Sequence, residues 1–320
     1  MAVTRRPTLL ILRALGLGDL LTGIPAFRAL AQAFPGHRRV LAAPAWLEPL
    51  ALHTGAIDEV RDTGPLAPLD PALRRPDVAV NLHGRGPESH RILLAASPTR
   101  LIAFANPEVP ASAGGPAWRA DEHEIDGWCR LLSESGIPAD PGDLRLDPPE
   151  QAPPRVAVGA TVIHPGAASA ARRWPVERFA AVARAERTAG RDVVVTGSRA
   201  ERPLAEELAR LAGLPRSAVY AGRTGLLELA SVVAAAGRLV SGDTGVAHLA
   251  TALGTPSVVL FGPISPARWG PPPDRCRHIV LWSGRAGDPH ADRPDPGLLD
   301  LAVDDVLEAL ARLAAQPKAA

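Results

Sequence analysis

Across 320 residues the chain carries two cysteines, one methionine, one tyrosine and, although Lys+Arg total 35, a single lysine, Lys318. Cys129 and Cys276 lie far apart and in no C-x-x-C spacing, so they signal neither a disulfide framework nor a zinc site, and two unpaired thiols are expected. With lysine confined to the last residues, a bound phosphate has to be gripped by arginine or by backbone amides. An excess of one charge is missing too. Lys+Arg of 35 against Asp+Glu of 34 leaves a formal charge of +1, and no block of like charge offers a nucleic acid its electrostatic footprint. Long apolar runs are absent. The run Leu9 to Leu12 follows Arg5 and Arg6 but is cut by Arg13 and then Asp19, too short for a signal peptide or a membrane span. A cytoplasmic location is therefore expected, with no more than peripheral contact with a membrane, since no basic amphipathic helix stands out. His83, His90 and His123 fall in no metal-binding spacing, so no metal is expected.

What is present is a hydrophobic content of 46%, enough at this length for two domains with separate cores. Residues 8–12 read as a buried strand that enters the tight loop Gly16-Leu17-Gly18. Leu20, Ile24, Phe27 and Ala31 then repeat at helical spacing over 19–33, and Pro35-Gly36 supplies the stop. A strand over 39–43, a helix over 46–54 and a strand over 77–82 running into His83-Gly84-Arg85-Gly86 continue the alternation. The proline-rich stretch 140–154 interrupts it and marks a domain boundary. The rhythm restarts with strands over 157–163, 192–196, 238–241 and 257–261 and helices over 176–189, 201–212, 226–236 and 243–253. Residues 271–296, rich in proline and glycine, read as loop, and 299–314 as a terminal helix.

Alternating strands and helices predict an α/β chain with parallel sheets covered on both faces. The expected organisation is a first Rossmann-like domain over 1–153, a second over 154–298, and a closing helix and tail over 299–320 that is a candidate to pack back toward the first domain. Two such domains would face each other across a cleft lined by strand C-termini, where open α/β sheets bind their ligands.

Several strand-to-helix junctions carry chemistry. Gly16-Leu17-Gly18-Asp19 invites comparison with the dinucleotide fingerprint G-x-G-x-x-G, but Leu21 stands at the third glycine, and the next strand ends in Ala43-Pro44 without a ribose-binding acid, which argues against an NAD-dependent enzyme. Asp19 would serve as a helix cap or, if partly withdrawn from water, as a general base. Ser241-Gly242-Asp243-Thr244-Gly245-Val246-Ala247-His248 also follows a strand and opens a helix. Asp243 is expected to cap its first turn, leaving the Thr244 and Gly245 amides free for a pyrophosphate. His248, one turn on, would reach the same anion or pack in the core. His164-Pro165-Gly166 precedes Arg172-Arg173-Trp174-Pro175, where either arginine would carry the positive charge. Thr196-Gly197 leads to Glu201, either a ribose acceptor or an ordinary first-turn acid. Trp269 is expected to pack.

In this order the junctions, together with Leu10-Ile11-Leu12-Arg13, Ile24-Pro25-Ala26-Phe27-Arg28-Ala29-Leu30, Phe261-Gly262-Pro263 and Trp269-Gly270-Pro271, resemble glycosyltransferase family 9, the bacterial heptosyltransferase-like enzymes. The resemblance runs over nearly the whole chain. It implies a GT-B fold and an inverting, metal-independent transfer of a heptose from ADP-heptose, with a nucleoside-diphosphate sugar as substrate and no cofactor. Carried over by position, Asp19 is the base, Thr244, Gly245 and His248 hold the diphosphate and Glu201 the nucleoside. His164, Gly166, Arg172 and Asp243 are further donor-binding candidates, with Arg172 stabilising the leaving group, and Gly18, His83 and Arg85 are expected on the acceptor side. The better-known members have lysine where this chain has Arg172. The acceptor would be a glycan, a lipid-linked glycan or a small molecule. Rival readings are a nucleotide-sugar epimerase of the same architecture, which would turn over donor alone, and a nucleotide-sugar-binding protein without turnover.

Overall fold

A computed structural model describes residues 6–272 and 277–314. Cys276, one of the two expected thiols, lies outside them; Cys129 is a free, buried thiol, pushed up to about 12 by burial and by the nearby Asp126, Asp140 and Asp143 charges. The chain separates into two compact units, Met1–Leu144 and Arg145–Ala320.

The first unit contains β1 (Thr8–Leu12), α1 (Leu17–Thr22), α2 (Ile24–Ala33), β2 (Arg38–Ala43), α3 (Glu48–His53), β3 (Glu59–Asp62), β4 (Val78–Asn81), α4 (Glu88–Ala95), β5 (Arg100–Ile102) and α5 (Glu124–Glu134). Its sheet has the order β3-β2-β1-β4-β5, parallel throughout. All five residues of β1 are buried, as a central strand covered on both faces requires. The single helix expected over 19–33 is two, because Pro25 has no amide for the ladder and the chain turns at Gly23. A Cβ on Gly23 would lie 2.7 Å from Phe27 Cζ and 3.2 Å from Arg13 Cδ, so only glycine fits where those side chains close in.

The second unit contains β6 (Thr161–His164), α6 (Val176–Thr188), β7 (Val193–Val195), α7 (Arg202–Ala212), α8 (Leu226–Ala235), β8 (Arg238–Gly242), α9 (Gly245–Leu253), β9 (Ser257–Phe261), α10 (Pro266–Trp269), β10 (His278–Trp282), α11 (Pro296–Leu299) and α12 (Val303–Ala314). The order β10-β9-β8-β6-β7 is again all parallel. Strand β10 runs through the stretch expected to be loop. Its apolar sequence His-Ile-Val-Leu-Trp is short and half-exposed at the sheet edge, so it lacks the burial signature of a central strand, as do β3 and β5.

The division between units falls at Leu144/Arg145, ahead of the expected 153/154, because the proline-rich stretch is already docked: Leu146 N donates to Ala252 O at 2.8 Å. The closing helix is also part of the second unit. Val306, Ala309, Leu310 and Leu313 of α12 join the core formed by Phe179, Val195 and Leu260, and Trp174, edge-on to Phe179, donates Nε1 to Leu301 O at 3.1 Å. No helix among the described residues is long and apolar enough to cross a membrane.

Each sheet reverses its strand order once. In the first unit chain progression switches direction between β1 and β4, in the second between β6 and β8. The loops leaving such neighbouring strands diverge and open a crevice at the strand C-termini, the usual ligand position in open α/β sheets.

Candidate functional site

At the first switch point β1 delivers Arg13 and the turn into α1, and β4 delivers His83. Gly16 caps α1, and Asp19, three residues on, accepts its amide through Oδ2 at 3.1 Å. Asp19 is therefore part of the cap. Its second oxygen, Oδ1, lies 3.9 Å from Arg13 Nη2, and the side chain is 26% exposed, partly withdrawn from water. His83 Nδ1 accepts the Ala14 amide at 3.2 Å, which puts the ring proton on Nε2. Burial, then the Arg13 charge, hold His83 below the ordinary histidine value against the opposing pull of Asp19. The ring is accordingly a neutral donor at pH 7.

The loop carrying His83 is fixed from behind. Asn81 Oδ1 accepts the His83 amide at 2.9 Å, while Asn81 Nδ2 contacts His90 Nδ1 at 2.7 Å. His90 Nε2 meets Phe104 O at 2.7 Å, and since a carbonyl only accepts, Nε2 carries the proton and Nδ1 receives that of Asn81. Gly86, at φ +72°, passes so close to His90 that a Cβ would fall 2.5 Å from Nδ1. Arg85 is exposed, its carbonyl accepting Asn106 Nδ2 at 2.9 Å. Gly18 lies in the first turn of α1 beside Asp19.

Arg13 is a site residue that sequence reasoning did not single out. Its side chain is fully buried, and all three guanidinium nitrogens have partners: Asp19 O, Leu82 O, Thr22 Oγ1 at 3.0 Å and Glu124 Oε1 at 2.9 Å. The guanidinium lies over the Trp128 ring, 5.1 Å from its centroid, and Trp128 Nε1 donates to the same Glu124 oxygen at 2.7 Å. The available signal was an arginine directly after the apolar run Leu9 to Leu12. Glu124 and Trp128, on α5, gave none.

At the second switch point β6 ends in His164 and β8 in Gly242. His164 Nδ1 is 3.1 Å from Thr196 Oγ1, and its Nε2 is 3.9 Å from Glu201 Oε2. Burial pushes His164 down, against the pull of Glu201. Glu201 is held below the ordinary carboxyl value: burial opposes this, but neighbouring His164, the amide and hydroxyl of Ser198, and the Arg173 charge outweigh it. Gly166 lies against this carboxylate, where an added Cβ would stand 2.0 Å from Oε1.

The structure corrects the expected cap of the α9 helix. Helix α9 begins at Gly245 with Thr244 in the cap position and no side-chain cap bond. Asp243 continues the strand, donating its amide to Leu260 O at 3.1 Å, and its buried carboxylate turns to Arg172 Nη1 at 3.8 Å and His248 Nε2 at 3.9 Å. His248 also packs edge-on against Trp269, 5.7 Å between centroids, which fits the packing expected of that indole. Gly242 lets the Arg172 carbonyl approach, since a Cβ there would meet it at 2.9 Å.

The two arginines before α6 divide their tasks. Arg173 folds back on its own loop, giving Nε and Nη2 to Ala167 O at 3.0 and 2.9 Å. Arg172 Nε is buried with no hydrogen-bond partner, as is Thr244 Oγ1. Beside them the first amides of α9 have no acceptor within the helix. The result is a set of aligned donors at a positive helix end, suited to an anion. Among the described residues, no group of three or more His, Cys, Asp or Glu is placed to hold a metal ion.

Two parallel-sheet α/β units in one chain, each with polar groups gathered at its switch point, define the GT-B class of glycosyltransferase folds. The solved structure of Escherichia coli ADP-heptose LPS heptosyltransferase II superposes with a TM-score of 0.74 over 96% of this chain and 98% of that one at 22% identity. A family 9 glycosyltransferase from Veillonella parvula gives 0.76 over 96% and 97% at 18% identity. These likenesses establish the fold. The family model for glycosyltransferase family 9 (heptosyltransferase) matches residues 117–296, more than half of the chain, and the chain belongs to that family. Among curated relatives, lipooligosaccharide heptosyltransferase 2 of Haemophilus influenzae is 32% identical over 156 residues, 46% of this chain and 44% of that protein. Lipopolysaccharide heptosyltransferase 2 of E. coli is 33% identical over 156 residues, 47% and 44%. The match thus spans less than half the length of these relatives.

Proposed function

We propose that this chain transfers a heptose from ADP-heptose to an acceptor hydroxyl with inversion, using Asp19 as general base and no metal ion. The observation that carries the reading is the pair of buried, unpartnered atoms Arg172 Nε and Thr244 Oγ1 at the start of α9. Leaving such atoms without a partner costs about 1–3 kcal/mol each, a penalty that a diphosphate at this position would remove. The family match, together with relatives named as heptosyltransferases, supports ADP-heptose over other nucleotide sugars.

In the proposed reaction the acceptor oxygen attacks the anomeric carbon as Asp19 takes its proton. The bond from that carbon to the diphosphate breaks, and its electrons leave with the diphosphate. Positive charge grows on the sugar while negative charge grows on the leaving group. Arg172, Thr244 and the Gly245 amide meet the latter, and Asp243 with His248 hold Arg172 and the helix start in place. Glu201, kept ionised and held against Gly166, accepts the ribose hydroxyls. His83 Nε2–H and Gly18 address the acceptor, with Arg85 on the exposed loop beside them. The acceptor is a hydroxyl of a glycan, a lipid-linked glycan or a small molecule. With a nucleotide sugar as donor, the reaction belongs to the cytoplasm, and a lipid-linked acceptor would be met by peripheral contact.

Calorimetric titration with ADP and ADP-heptose tests the donor half. Binding to the wild type that weakens by tenfold or more in Arg172→Ala supports it. Equal affinity of both proteins, or no binding of either ligand, overturns it.

A further inference from the structure

The first unit contains a buried charge pair that the proposed chemistry does not use, and its geometry bears directly on the base. Arg13 is fully buried and stands between two carboxylates at unequal distance, Glu124 Oε1 at 2.9 Å and Asp19 Oδ1 at 3.9 Å. The nearer one is 111 residues away in sequence and is held on Arg13 by Trp128 Nε1. The guanidinium is tied to the main chain at Asp19 O and Leu82 O, the start of α1 and the end of the β4 segment. It cannot swing toward either acid without breaking these bonds.

We propose that Glu124 is a positioning residue that sets the strength of the Asp19 base by competing with it for the charge of Arg13. An uncompensated guanidinium 3.9 Å from a half-buried carboxylate would stabilise the ionised form and leave a poor proton acceptor. Glu124 takes up most of that charge through a direct hydrogen bond, so Asp19 keeps its orientation from the Gly16 amide while escaping a full ion pair. The groups facing Asp19 from the elements packed around it are Arg13 from β1 and His83 from the β4 loop, with Glu124 from α5 behind Arg13. His83, a neutral donor at pH 7, adds no charge there.

The inference rests on Asp19 being the base, and its test reads Asp19 directly, without turnover. Selective ¹³Cγ labelling of aspartate, with the Asp19 signal assigned by its loss in Asp19→Asn, gives the pH midpoint of that carboxyl by NMR in the unliganded protein. Glu124→Gln keeps the shape and an acceptor oxygen but removes the negative charge. It should lower the midpoint by about 1 pH unit, equivalent to about 1.4 kcal/mol. Arg13→Met combined with Glu124→Gln removes both charges and should raise it. A purely structural role predicts no such reversal of sign. Should the single variant fail to fold, the double variant still decides, because a lowered midpoint there overturns the proposal. An unmoved midpoint in a folded Glu124→Gln overturns it equally. The base reading fails separately, if Asp19→Asn retains full transferase activity.

Discussion

The two switch points occupy equivalent places in their sheets yet treat their polar groups in opposite ways. In the first unit the polar groups partner one another: every nitrogen of Arg13 has an acceptor, Asp19 Oδ2 takes the Gly16 amide, and His83 Nδ1 takes that of Ala14. In the second, Arg172 Nε and Thr244 Oγ1 are buried without partners, and Asp243 meets Arg172 at 3.8 Å, too long for a hydrogen bond. A self-satisfied network holds one carboxylate in place, while the other leaves buried donors without partners, the ones proposed above to meet a diphosphate. The same α/β geometry thus carries a closed polar network in one half and an open one in the other.

The comparison breaks most decisively at Asp19. Asp19→Asn preserves shape but cannot accept a proton, and initial-rate assays should show a loss of about 10²–10⁴-fold in kcat, with ADP-heptose affinity by calorimetry within about twofold. A large loss of donor affinity would place Asp19 in the anion site and erase the distinction between the two halves. Next in size, Arg172→Ala should lower kcat by about 10²-fold, as for a removed transition-state donor, with donor binding weakened as well. A rate within about threefold of wild type would remove Arg172 from the leaving-group site. Gly166→Ala sharpens the second site alone: the new Cβ displaces the Glu201 carboxylate, and affinity for ADP should fall by about tenfold, or 1.4 kcal/mol, with thermal stability little changed.

The pH response involves both units. His83, His90 and His164 are each held below the ordinary histidine value, chiefly by burial. The unfolded chain therefore binds more protons than the folded one as pH falls through the ordinary histidine value toward the depressed ones. Stability present above that range is lost progressively within it. Urea midpoints should fall between pH 8 and pH 5, and His90→Gln should reduce the slope; a flat profile would contradict the burial argument. The smallest effect belongs to Arg173→Ala, which frees the Ala167 carbonyl and withdraws one of the weaker supports of the Glu201 charge. It should cost about 1 kcal/mol of stability and weaken ADP binding less than Arg172→Ala, whereas the reverse ranking would exchange the roles assigned to the two neighbours.

Central elements were legible in the sequence because burial on both faces writes itself as an apolar run: β1 and β9 fall where Thr8 to Leu12 and Ser257 to Phe261 predict. Edge elements were not. Strand β3, Glu-Val-Arg-Asp, and the short β5 are made by pairing with a neighbour rather than by pattern, and β10 was hidden among prolines and glycines. Of the candidate site residues, the structure brings His164, Gly166 and Glu201 together, and likewise Arg172, Asp243 and His248. It leaves the Arg85 side chain on an exposed loop.

The order of the central strands, their glycine turns and the helices that follow them, and with it the family, was written in local composition, since each junction advertises itself through residues adjacent in sequence. Tertiary structure alone decided which of two neighbouring arginines is clamped to its own loop, that Thr244 and not Asp243 stands at the head of α9, and that Glu124 meets Arg13. The first turns on a carbonyl six residues back, the second on a backbone bond from Asp243 to Leu260 and the third on a side chain 111 residues away, and periodicity carries no information about which groups will meet.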